Sequence, residues 1–454
     1  MGHALLNKTD STTEANIVVV GLGKTGLSCV RFLVARGERV TVVDSRSNPP
    51  GLDELTADFP DVPVVLGPFD ASLLCAAKTL LVSPGISLRS PEIAAAMADG
   101  VEVLGDVELF ARHANAPVVA ITGSNGKSTV TTLVYEMAKA AKKDVRIGGN
   151  IGTPVLALLQ ANEPDLYILE LSSFQLETTR SLTLAAATIL NISQDHLDRY
   201  ADMQAYIDAK QRIFAHADCC VINADDARVS GMCAAQKNCV HFALQAPQSD
   251  NDFGVCQQDG ALWLARGDKP LLPAAELKTA GMHNVANALA ALALGERVGL
   301  PMIAMLEALR HFKGLPHRCQ WVANNNGVDW YNDSKATNVG SAEAAIRGFD
   351  RPVVLIAGGE GKGQDFSPLK EALADKGRAV LLIGRDAPEI EMSLDAVVPL
   401  QRAVSMNEAV EKAAQCARPG DVVLLAPACA SFDMFSGFEA RGEQFVAAVQ
   451  RCVL

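Results

Sequence analysis

Short hydrophobic runs alternate with helix-like stretches along most of the chain. In the first hundred residues the strand-like runs are NIVVV, RVTVV, VPVVL, TLLVS and VEVL, and DVELFARHANAP at 106–117 predicts a helix that ends before Pro117. Later strand-like runs are VVAITG, DLYILEL, AATILNI, CCVINAD, PVVLIAGG, AVLLIG and DVVLLAPA. This alternation is typical of parallel sheets with crossover helices, and it predicts an α/β fold. Dense polar residues at 246–260, APQSDNDFGVCQQDG, predict a surface hairpin or loop.

Two breaks in the alternation divide the chain into three blocks. One lies near residue 106, and the other lies in KGLPHRCQW near residue 313. A chain of 454 residues is also long enough for about three domains of ordinary size. We therefore predict domains over residues 1–105, 106–314 and 315–454, joined at two hinges.

The composition excludes several classes of protein. Hydrophobic residues make up 49% of the chain and charged residues 20%, which favours large packed cores over long disordered stretches. The formal net charge of -12 argues against an extended basic surface for nucleic acid. An acidic protein can still hold a local basic pocket for phosphates.

The cysteines and the N-terminus indicate a cytoplasmic protein. The 11 cysteines are scattered without a C-x-x-C pair, which suggests reduced thiols. The start MGHALLNKTD lacks the pattern of a secretory signal, and apolar runs such as LTLAAATILNI at 182–192 are too short to span a bilayer. We therefore expect no membrane insertion. Because no long coiled coil or exposed apolar seam is evident, we also expect a monomer.

A first glycine loop follows the first strand, in IVVVGLGKTGLSCV. Gly21, Gly23 and Gly26 form G-x-G-x-x-G between a strand and a helix, and Asp44 ends the next apolar run. This pattern is the fingerprint of a dinucleotide site, but its backbone can hold any diphosphate. The turn SPGIS, which contains Gly85, adds a second glycine at the carboxyl end of a strand. An anion or nucleotide site is predicted, and NAD is one of the possible ligands.

A second glycine loop, VVAITGSNGKSTVTT, predicts a phosphate site of another kind. Here a strand precedes Gly126, Lys127 and Ser128, and a helix follows them. Backbone N–H groups at a helix start bind phosphate oxygens, the lysine neutralises the β- and γ-phosphates, and the hydroxyl is placed to ligate Mg²⁺. The strict G-x-x-x-x-G-K-[ST] pattern fails at Ile121. An ordinary strand-to-helix turn is the alternative.

Two strand ends supply candidate metal ligands. Glu170 follows the apolar residues of DLYILEL, where a P-loop site usually holds its metal-binding carboxylate. A solvated acid at a strand end is the alternative. Asp195 and His196 follow AATILNI, and a neutral imidazole can ligate a metal. Lys210, in YIDAKQRIF, looks like a helix-surface lysine by its context alone.

Long motifs in all three blocks resemble the Mur ligases of peptidoglycan synthesis. They are ITGSNGKSTVTT, GGNIGTP, LELSSFQLE, NISQDHLDRY, HNVANALAA, LPHRCQ, NDSKATN, AGGEGKGQDF and LAPACASFDMFSGFEARG. The resemblance implies a Rossmann-like N-terminal domain for a UDP-sugar, a central P-loop ATPase-like domain and a Rossmann-like C-terminal domain for an amino acid. It also implies an ATP-dependent ligase that adds D-glutamate to UDP-N-acetylmuramoyl-L-alanine through an acyl phosphate, giving ADP and phosphate.

The resemblance assigns roles to individual residues, beginning with ATP and the metals. The ATP site that the resemblance implies comprises Gly123, Ser124, Asn125, Gly126, Lys127, Ser128, Thr129, Asn287, Arg318, Asp333 and Lys335. Its two Mg²⁺ sites comprise Ser128, Glu170, His196 and Lys210, the last as a carbamate. The catalytic groups among these are Lys127, His196 and Lys210.

It also assigns residues to the other two substrates. The UDP-substrate site comprises Gly23, Lys24, Thr25, Asp44, Ser45, Arg46, Gly85 and Asn150. The D-glutamate site comprises Thr337, Lys362, Ser431 and Phe438. Ser45 stands where the family more often has threonine, and the hydroxyl is retained.

Several rival functions use part of the same sequence. A sister ligase that adds L-alanine, a diamino acid or a dipeptide would share the central motifs, as would folylpolyglutamate synthase, but PACASFDMF and GGEGKGQDF favour D-glutamate. An NAD-dependent dehydrogenase leaves the second loop, Glu170 and Lys210 unexplained. A GTPase switch would carry an N-K-x-D motif, which the sequence lacks. A non-catalytic scaffold would not need so many polar residues at strand ends.

Overall fold

The computed structural model describes residues 17–195, 199–232, 238–279, 281–395 and 397–452. Three sheets with flanking helices follow one another along the chain, as the alternating pattern predicts. The three predicted α/β domains are therefore confirmed as a fold class. No helix in these ranges is long and apolar enough to cross a membrane.

The first sheet has five parallel strands in the order β3-β2-β1-β4-β5. Its strands are β1 (Ile17–Val20), β2 (Val40–Asp44), β3 (Val64–Leu66), β4 (Thr79–Val82) and β5 (Glu102–Leu104). Its helices are α1 (Lys24–Val34), α2 (Leu52–Asp58), α3 (Ala71–Cys75), α4 (Pro91–Ala98) and α5 (Asp106–Ala111). The strand order reverses at β1 and β4, where an open parallel sheet binds its ligands beyond the carboxyl ends.

The second sheet has nine strands in the order β14-β13-β12-β11-β10-β9-β6-β8-β7. Its strands are β6 (Val118–Thr122), β7 (Val145–Gly149), β8 (Leu166–Glu170), β9 (Ala186–Ile189), β10 (Cys220–Asn223), β11 (Cys239–Phe242), β12 (Phe253–Gln258), β13 (Ala261–Arg266) and β14 (Lys269–Pro273). Its helices are α6 (Lys127–Ala140), α7 (Ser173–Glu177), α8 (Met203–Gln211), α9 (Ala227–Ser230), α10 (Met282–Arg297) and α11 (Met302–His311).

The polar stretch at 246–260 leads into a hairpin, as predicted. β12 and β13 pair in antiparallel register, and the turn residues Asp259 and Gly260 have φ values of 51° and 75°. Two positive φ values match the twist of a tight hairpin. The strand nevertheless begins at a buried residue, Phe253, which packs in the core of the domain.

Helices α6 and α10 form the core of the second block against one face of its sheet. The cluster includes Val130 and Met137 from α6 and Leu289 and Leu292 from α10, all of them buried. α10 is apolar around most of its circumference because it is buried between the sheet and its neighbouring helices.

The third sheet has six strands in the order β15-β16-β20-β17-β18-β19. Its strands are β15 (Gln320–Asn325), β16 (Val328–Asn332), β17 (Val353–Gly358), β18 (Gly377–Ile383), β19 (Leu400–Arg402) and β20 (Val422–Leu425). Its helices are α12 (Val339–Arg347), α13 (Ser367–Ala374), α14 (Ala387–Leu394), α15 (Met406–Cys416) and α16 (Phe438–Cys452). Only the edge pair β15 and β16 is antiparallel, and both faces of the sheet are covered by apolar clusters.

The described chain forms two compact units. Unit 1 contains the residues up to Ala116 together with Gly148–Glu163 and Leu171–Thr183. Unit 2 contains Pro117–Ile147, Pro164–Glu170 and the chain from Leu184 onward. Both the second glycine loop and the whole third block belong to unit 2.

Candidate active site

The second glycine loop lies at the carboxyl end of β6 and begins helix α6. Gly123 and Gly126 have φ values of 149° and 81°. A Cβ atom on Gly126 would come within 2.5 Å of the Asn287 Oδ1 atom, and one on Gly123 would meet the backbone of Leu190 at 3.2 Å. These positions therefore require glycine for both their backbone angles and their close neighbours.

Asn191, at the end of β9, fixes the shape of this loop. Its side-chain oxygen accepts a hydrogen bond from the Asn125 backbone N–H at 2.8 Å, and its amide nitrogen donates to the Asn125 carbonyl at 3.1 Å. The Ser124 backbone N–H donates to the Asn191 carbonyl at 2.9 Å. Asn191 was not predicted as a site residue from the sequence, although its position after a buried strand could have pointed to it.

Lys127 folds back over the loop. Its ammonium nitrogen donates to the carbonyls of Gly123 at 2.8 Å and Ser124 at 2.9 Å. Burial lowers the pKa of Lys127, and Arg318 lowers it further, while Glu170 and Asp195 act in the opposite direction. The loop thus holds the Lys127 ammonium against its own backbone carbonyls, in the position that the predicted phosphate loop requires of its lysine.

Ser128, Glu170 and Arg318 form a short chain of hydrogen bonds. The Ser128 hydroxyl donates to the Glu170 Oε2 atom at 2.6 Å, and Arg318 Nη2 donates to the Ser128 Oγ atom at 2.6 Å. Glu170 is buried at the end of β8. The alternative of a solvated carboxylate is therefore wrong for Glu170.

Lys210 is buried, with 2% of its surface exposed, so its appearance as a helix-surface lysine is wrong. It lies near the end of α8, and its nitrogen donates to the Gly123 carbonyl at 2.9 Å and to the Thr122 hydroxyl at 3.3 Å. Burial, and then the charge of Lys127, lower the pKa of Lys210 well below its usual value.

Two further predicted ATP residues come from the third block. Asp333 follows β16, accepts a hydrogen bond from the Cys319 backbone N–H at 3.1 Å, and has its pKa raised to about 6 by burial. Lys335 lies over the Phe438 ring at 3.8 Å, and burial lowers its pKa to about 8, helped by the charges of Arg318 and Lys127. Several cations thus share one buried region, which favours a polyanionic ligand.

Asn287, on α10, lies beside the glycine loop. Its amide nitrogen donates to the Asn284 Oδ1 atom at 3.2 Å, and both asparagines are buried. The nucleotide contact of Asn287 stays a prediction.

Three of the four predicted D-glutamate residues lie on loops that are tied together by hydrogen bonds. The Ala428 N–H donates to the Ala336 carbonyl at 2.9 Å, and Glu360 pairs with Ala430 in an isolated bridge. These contacts join the loop segments that carry the predicted residues: Thr337, Lys362 and Ser431. Phe438, which begins α16, adds the carbonyl that accepts from the Ser334 hydroxyl at 2.8 Å.

Arg441 supports these loops through buried hydrogen bonds, and it was not predicted from the sequence. Its guanidinium is fully buried and donates to the Ser334 hydroxyl at 3.0 Å, the Ser334 carbonyl at 2.8 Å and the Cys429 carbonyl at 3.0 Å. A helical arginine gives no such signal in sequence, because the carbonyls that it satisfies are about 10 and 100 residues away.

The first glycine loop lies in unit 1, between β1 and α1. A Cβ atom on Gly26 would come within 1.9 Å of the Gly21 carbonyl oxygen, so the close approach of helix and strand requires glycine there. Gly23 precedes the first turn of α1, which carries Lys24 and Thr25. Gly85 lies in the loop after β4.

Asp44 joins the first loop to the end of β2. Its carboxylate accepts from the Leu22 N–H at 2.7 Å and from the Arg46 Nη2 atom at 2.7 Å. The Arg46 guanidinium lowers the pKa of Asp44 most, and the backbone N–H groups of Leu22 and Arg46 lower it further. Together they hold this pKa at about 2, against the effect of burial. Ser45 lies between them and is exposed.

The contacts described above place neither Asn150 nor His196 in a binding site. Asn150 is exposed in the turn after β7, where the Gly149 N–H donates to the Thr153 carbonyl at 2.9 Å. His196 lies outside the described residues.

The residues around Ser128 fit a magnesium ion. Mg²⁺ prefers hard oxygen ligands and usually binds through one or two carboxylates together with substrate phosphates. Ser128 and Glu170 supply such oxygens, 2.6 Å apart, beside the phosphate loop. Among the described residues, no group of three or more His, Cys, Asp or Glu side chains is arranged to hold a metal.

Three family profiles match the chain in order. Residues 15–105 match the Mur ligase MurD-like N-terminal domain, residues 121–295 the Mur ligase middle domain, and residues 317–429 the Mur ligase glutamate ligase domain. The chain belongs to the Mur ligase family. The resemblance drawn from the sequence motifs is thereby confirmed.

Relatives of this Mur ligase extend over nearly its full length. The UDP-N-acetylmuramoylalanine--D-glutamate ligase of Nitrosococcus oceani is 56% identical over 96% of this chain and 96% of its own length. The protein of the same name from Pseudomonas aeruginosa is 55% identical over 95% of this chain and 97% of its own.

Solved structures show the same fold at lower identity. The UDP-N-acetylmuramate-alanine ligase MurC of Thermotoga maritima has a TM-score of 0.61 and 20% identity, covering 96% of this chain and 99% of its own. The MurF ligase of the same organism, in complex with ADP, also has a TM-score of 0.61, with 17% identity and 96% coverage of both chains. The three-domain architecture of this Mur ligase is thus that of known members.

Proposed function

We propose that this Mur ligase is an ATP-dependent amide-forming enzyme that joins D-glutamate to UDP-N-acetylmuramoyl-L-alanine. The observation that carries the chemistry is the hydrogen-bonded set of Ser128, Glu170 and Arg318 beside Lys127 in the glycine loop. The choice of acceptor rests on the names of relatives at 53–56% identity. The reaction forms an acyl phosphate on the L-alanyl carboxylate, which the D-glutamate amine attacks, giving the amide, ADP and phosphate.

The residues of the glycine loop bind and orient ATP. Backbone N–H groups at the start of α6 face the phosphates, and the helix dipole favours their charge. Lys127 would exchange its two carbonyl contacts for the β- and γ-phosphate oxygens. Asn287 would contact adenine, and Asp333 would bond the ribose.

Charge neutralisation is the main task of the buried cations. A carboxylate must approach the γ-phosphate, and their mutual repulsion in a dry site has to be offset. Arg318 and Lys335 reach the phosphate region from the third domain. A bound Mg²⁺ supplies Lewis-acid stabilisation of phosphoryl oxygens, and Ser128 and Glu170 would hold it.

A second Mg²⁺ site is proposed around His196 and Lys210. The neutral Lys210 amine would attack the carbon of CO₂ and lose one proton to solvent, which gives a metal-binding carbamate anion in place of the amine. The support is its position, since burial and the charge of Lys127 lower the pKa of Lys210 and so favour the neutral amine that can react with CO₂.

The remaining assignments follow the family resemblance. Gly23, Lys24, Thr25, Asp44 and Arg46 would hold the uridine diphosphate group, with Ser45, Gly85 and Asn150 completing the UDP-substrate site. Lys362, Thr337, Ser431 and Phe438 would hold D-glutamate. We infer that the enzyme acts in the cytoplasm as a monomer.

Mass spectrometry of the product tests the proposal. The chain is incubated with ATP, Mg²⁺ and UDP-N-acetylmuramoyl-L-alanine, and D-glutamate, L-glutamate or a diamino acid is offered in separate reactions. A product that gains one glutamyl residue with the D-isomer only is expected. A product with a different amino acid would move the chain to a sister function.

A further inference from the structure

The side chain of Asn125, in the glycine loop, contacts the third domain. The Ser341 hydroxyl donates to the Asn125 Oδ1 atom. The Asn338 amide lies 3.5 Å from the same oxygen and 3.4 Å from the Asp195 Oδ2 atom. A loop that binds phosphate is therefore joined by side chains to the start of α12.

Both sides of this contact are preorganised. Asn125 is held through its backbone by Asn191, and its amide nitrogen donates to the Ser193 hydroxyl at 3.3 Å. Asn338 caps α12 by accepting from the Ser341 N–H at 2.8 Å, and the Ser341 Oγ atom lies 2.9 Å from the same Asn338 oxygen. The contact thus joins a fixed loop to a fixed helix end, so it can specify one orientation of the two domains.

Gly340 permits the two surfaces to approach. It lies in the first turn of α12, and a Cβ atom there would stand 2.9 Å from both the Cβ and the Oγ atoms of Ser193. Such a separation is shorter than real Cβ contacts, and the Ser193 Cβ atom cannot move without its backbone. A glycine within a helix costs about 1 kcal/mol relative to alanine, so the residue is unfavourable for the helix alone.

We propose that Asn338, Gly340 and Ser341 are positioning residues that seat the third domain on the phosphate loop, and we call this set the closure seam. Lys335 and Thr337 lie on the segment directly before it. By fixing that segment against Asn125, the closure seam places both side chains relative to the phosphates. The inference rests on the proposed function, because the D-glutamate amine must reach an acyl group formed at the phosphate loop.

Gly340→Ala separates this role from a structural one. Alanine favours the helix, so the thermal unfolding temperature of the variant should equal or exceed that of the unchanged enzyme. The added methyl group should hold the domains apart and lower kcat/KM for D-glutamate by about tenfold or more, since misplacement by about 1 Å is costly in catalysis. Ser341→Ala should show a smaller loss in the same direction.

Ser393→Ala is the matched control, because the Ser393 hydroxyl donates to the Glu389 carbonyl of its own helix. Small-angle scattering with ATP and UDP-N-acetylmuramoyl-L-alanine should give a larger radius of gyration for Gly340→Ala than for the unchanged enzyme. Equal radii together with a kcat/KM within about twofold of the unchanged enzyme would overturn the closure seam. Absence of D-glutamate-dependent turnover in the unchanged enzyme would instead refute the proposed function, and the scattering comparison would still test the seam.

Discussion

Lys210 is a lysine whose sequence context describes an ordinary helix surface. The structure instead buries it between the end of β6 and the glycine loop. No local sequence pattern distinguishes an exposed lysine from a buried one at this position. The burial of Lys210 depends on its contacts with Thr122 and Gly123, which lie about 90 residues earlier in the chain. The family resemblance was the only route from sequence to a role for this residue.

Replacement of Lys210 by alanine tests the carbamate proposal. We expect turnover to fall about a hundredfold or more, because a metal ligand is lost. Added formate or acetate should restore part of the rate by supplying a carboxylate in its place. The measurement is product formation with and without the added acid.

Lys139→Ala serves as the control for that experiment, since Lys139 is an exposed lysine on α6. Full activity in Lys210→Ala would remove the residue from the metal site. Loss without rescue by either acid would leave a structural role for the lysine as the explanation.

At the scale of elements, the hydrophobic pattern predicted the strands well. The five runs of the first block became β1 to β5, and DVELFARHANAP became the shorter helix α5, which ends at Ala111. The pairing order could not be read from the sequence. β6 lies between β8 and β9, although β7 is its neighbour in the chain, because crossover connections place strands by helix packing.

Some residues of the candidate site could be predicted from the sequence and others could not. Residues in contiguous motifs, such as Lys127 and Ser128, were identified because their spacing expresses local geometry. Glu170 needed the knowledge that its strand lies beside β6. Asn191 and Arg441 were missed because their partners are brought near only by tertiary structure.

Arg441→Ala should weaken the link between the two loops that carry Ser334 and Cys429. The guanidinium satisfies three buried oxygen contacts, and its removal leaves them without a donor. We expect a loss of about 3 kcal/mol in the unfolding free energy of the third domain, and a higher KM for D-glutamate. Denaturant titration and steady-state kinetics give the two quantities.

Arg451→Ala on the same helix is the matched control, since Arg451 is exposed and donates to the Asn407 side chain. An Arg441→Ala variant as stable as this control would contradict the assigned role. A stable variant with an unchanged KM would also detach Arg441 from the acceptor site.

At the scale of the whole molecule, the site is shared between domains, so stability and activity are linked. The phosphate loop belongs to the second block, while Arg318, Asp333 and Lys335 belong to the third. Conditions that loosen α10, which carries Asn287, should therefore also disturb the proposed ATP site. One titratable residue in that helix makes this dependence measurable.

His283 should make the second block sensitive to acid. It lies half-buried near the start of α10, its Nδ1 atom is enclosed and has no hydrogen-bond partner among the described residues, and burial of the ring lowers its pKa from 6.5 to about 4. Between these two values the unfolded chain binds a proton that the folded chain does not. The unfolding free energy should therefore fall as pH decreases from 6.5 towards 4, by about 3 kcal/mol in all.

His283→Gln should flatten this dependence, as measured by denaturant titration at a series of pH values. His311→Gln provides the comparison, because the His311 side chain is 68% exposed. If the His283 variant loses stability with acid as steeply as the unchanged protein, the acid sensitivity has another origin.

Phosphate release from ATP tests the central claim most directly. The enzyme is supplied with ATP, Mg²⁺, UDP-N-acetylmuramoyl-L-alanine and D-glutamate, and each component is omitted in turn. The account predicts sustained release only in the complete mixture, and none when L-glutamate replaces the D-isomer. Sustained release that does not depend on D-glutamate, or that another amino acid alone supports, would contradict it.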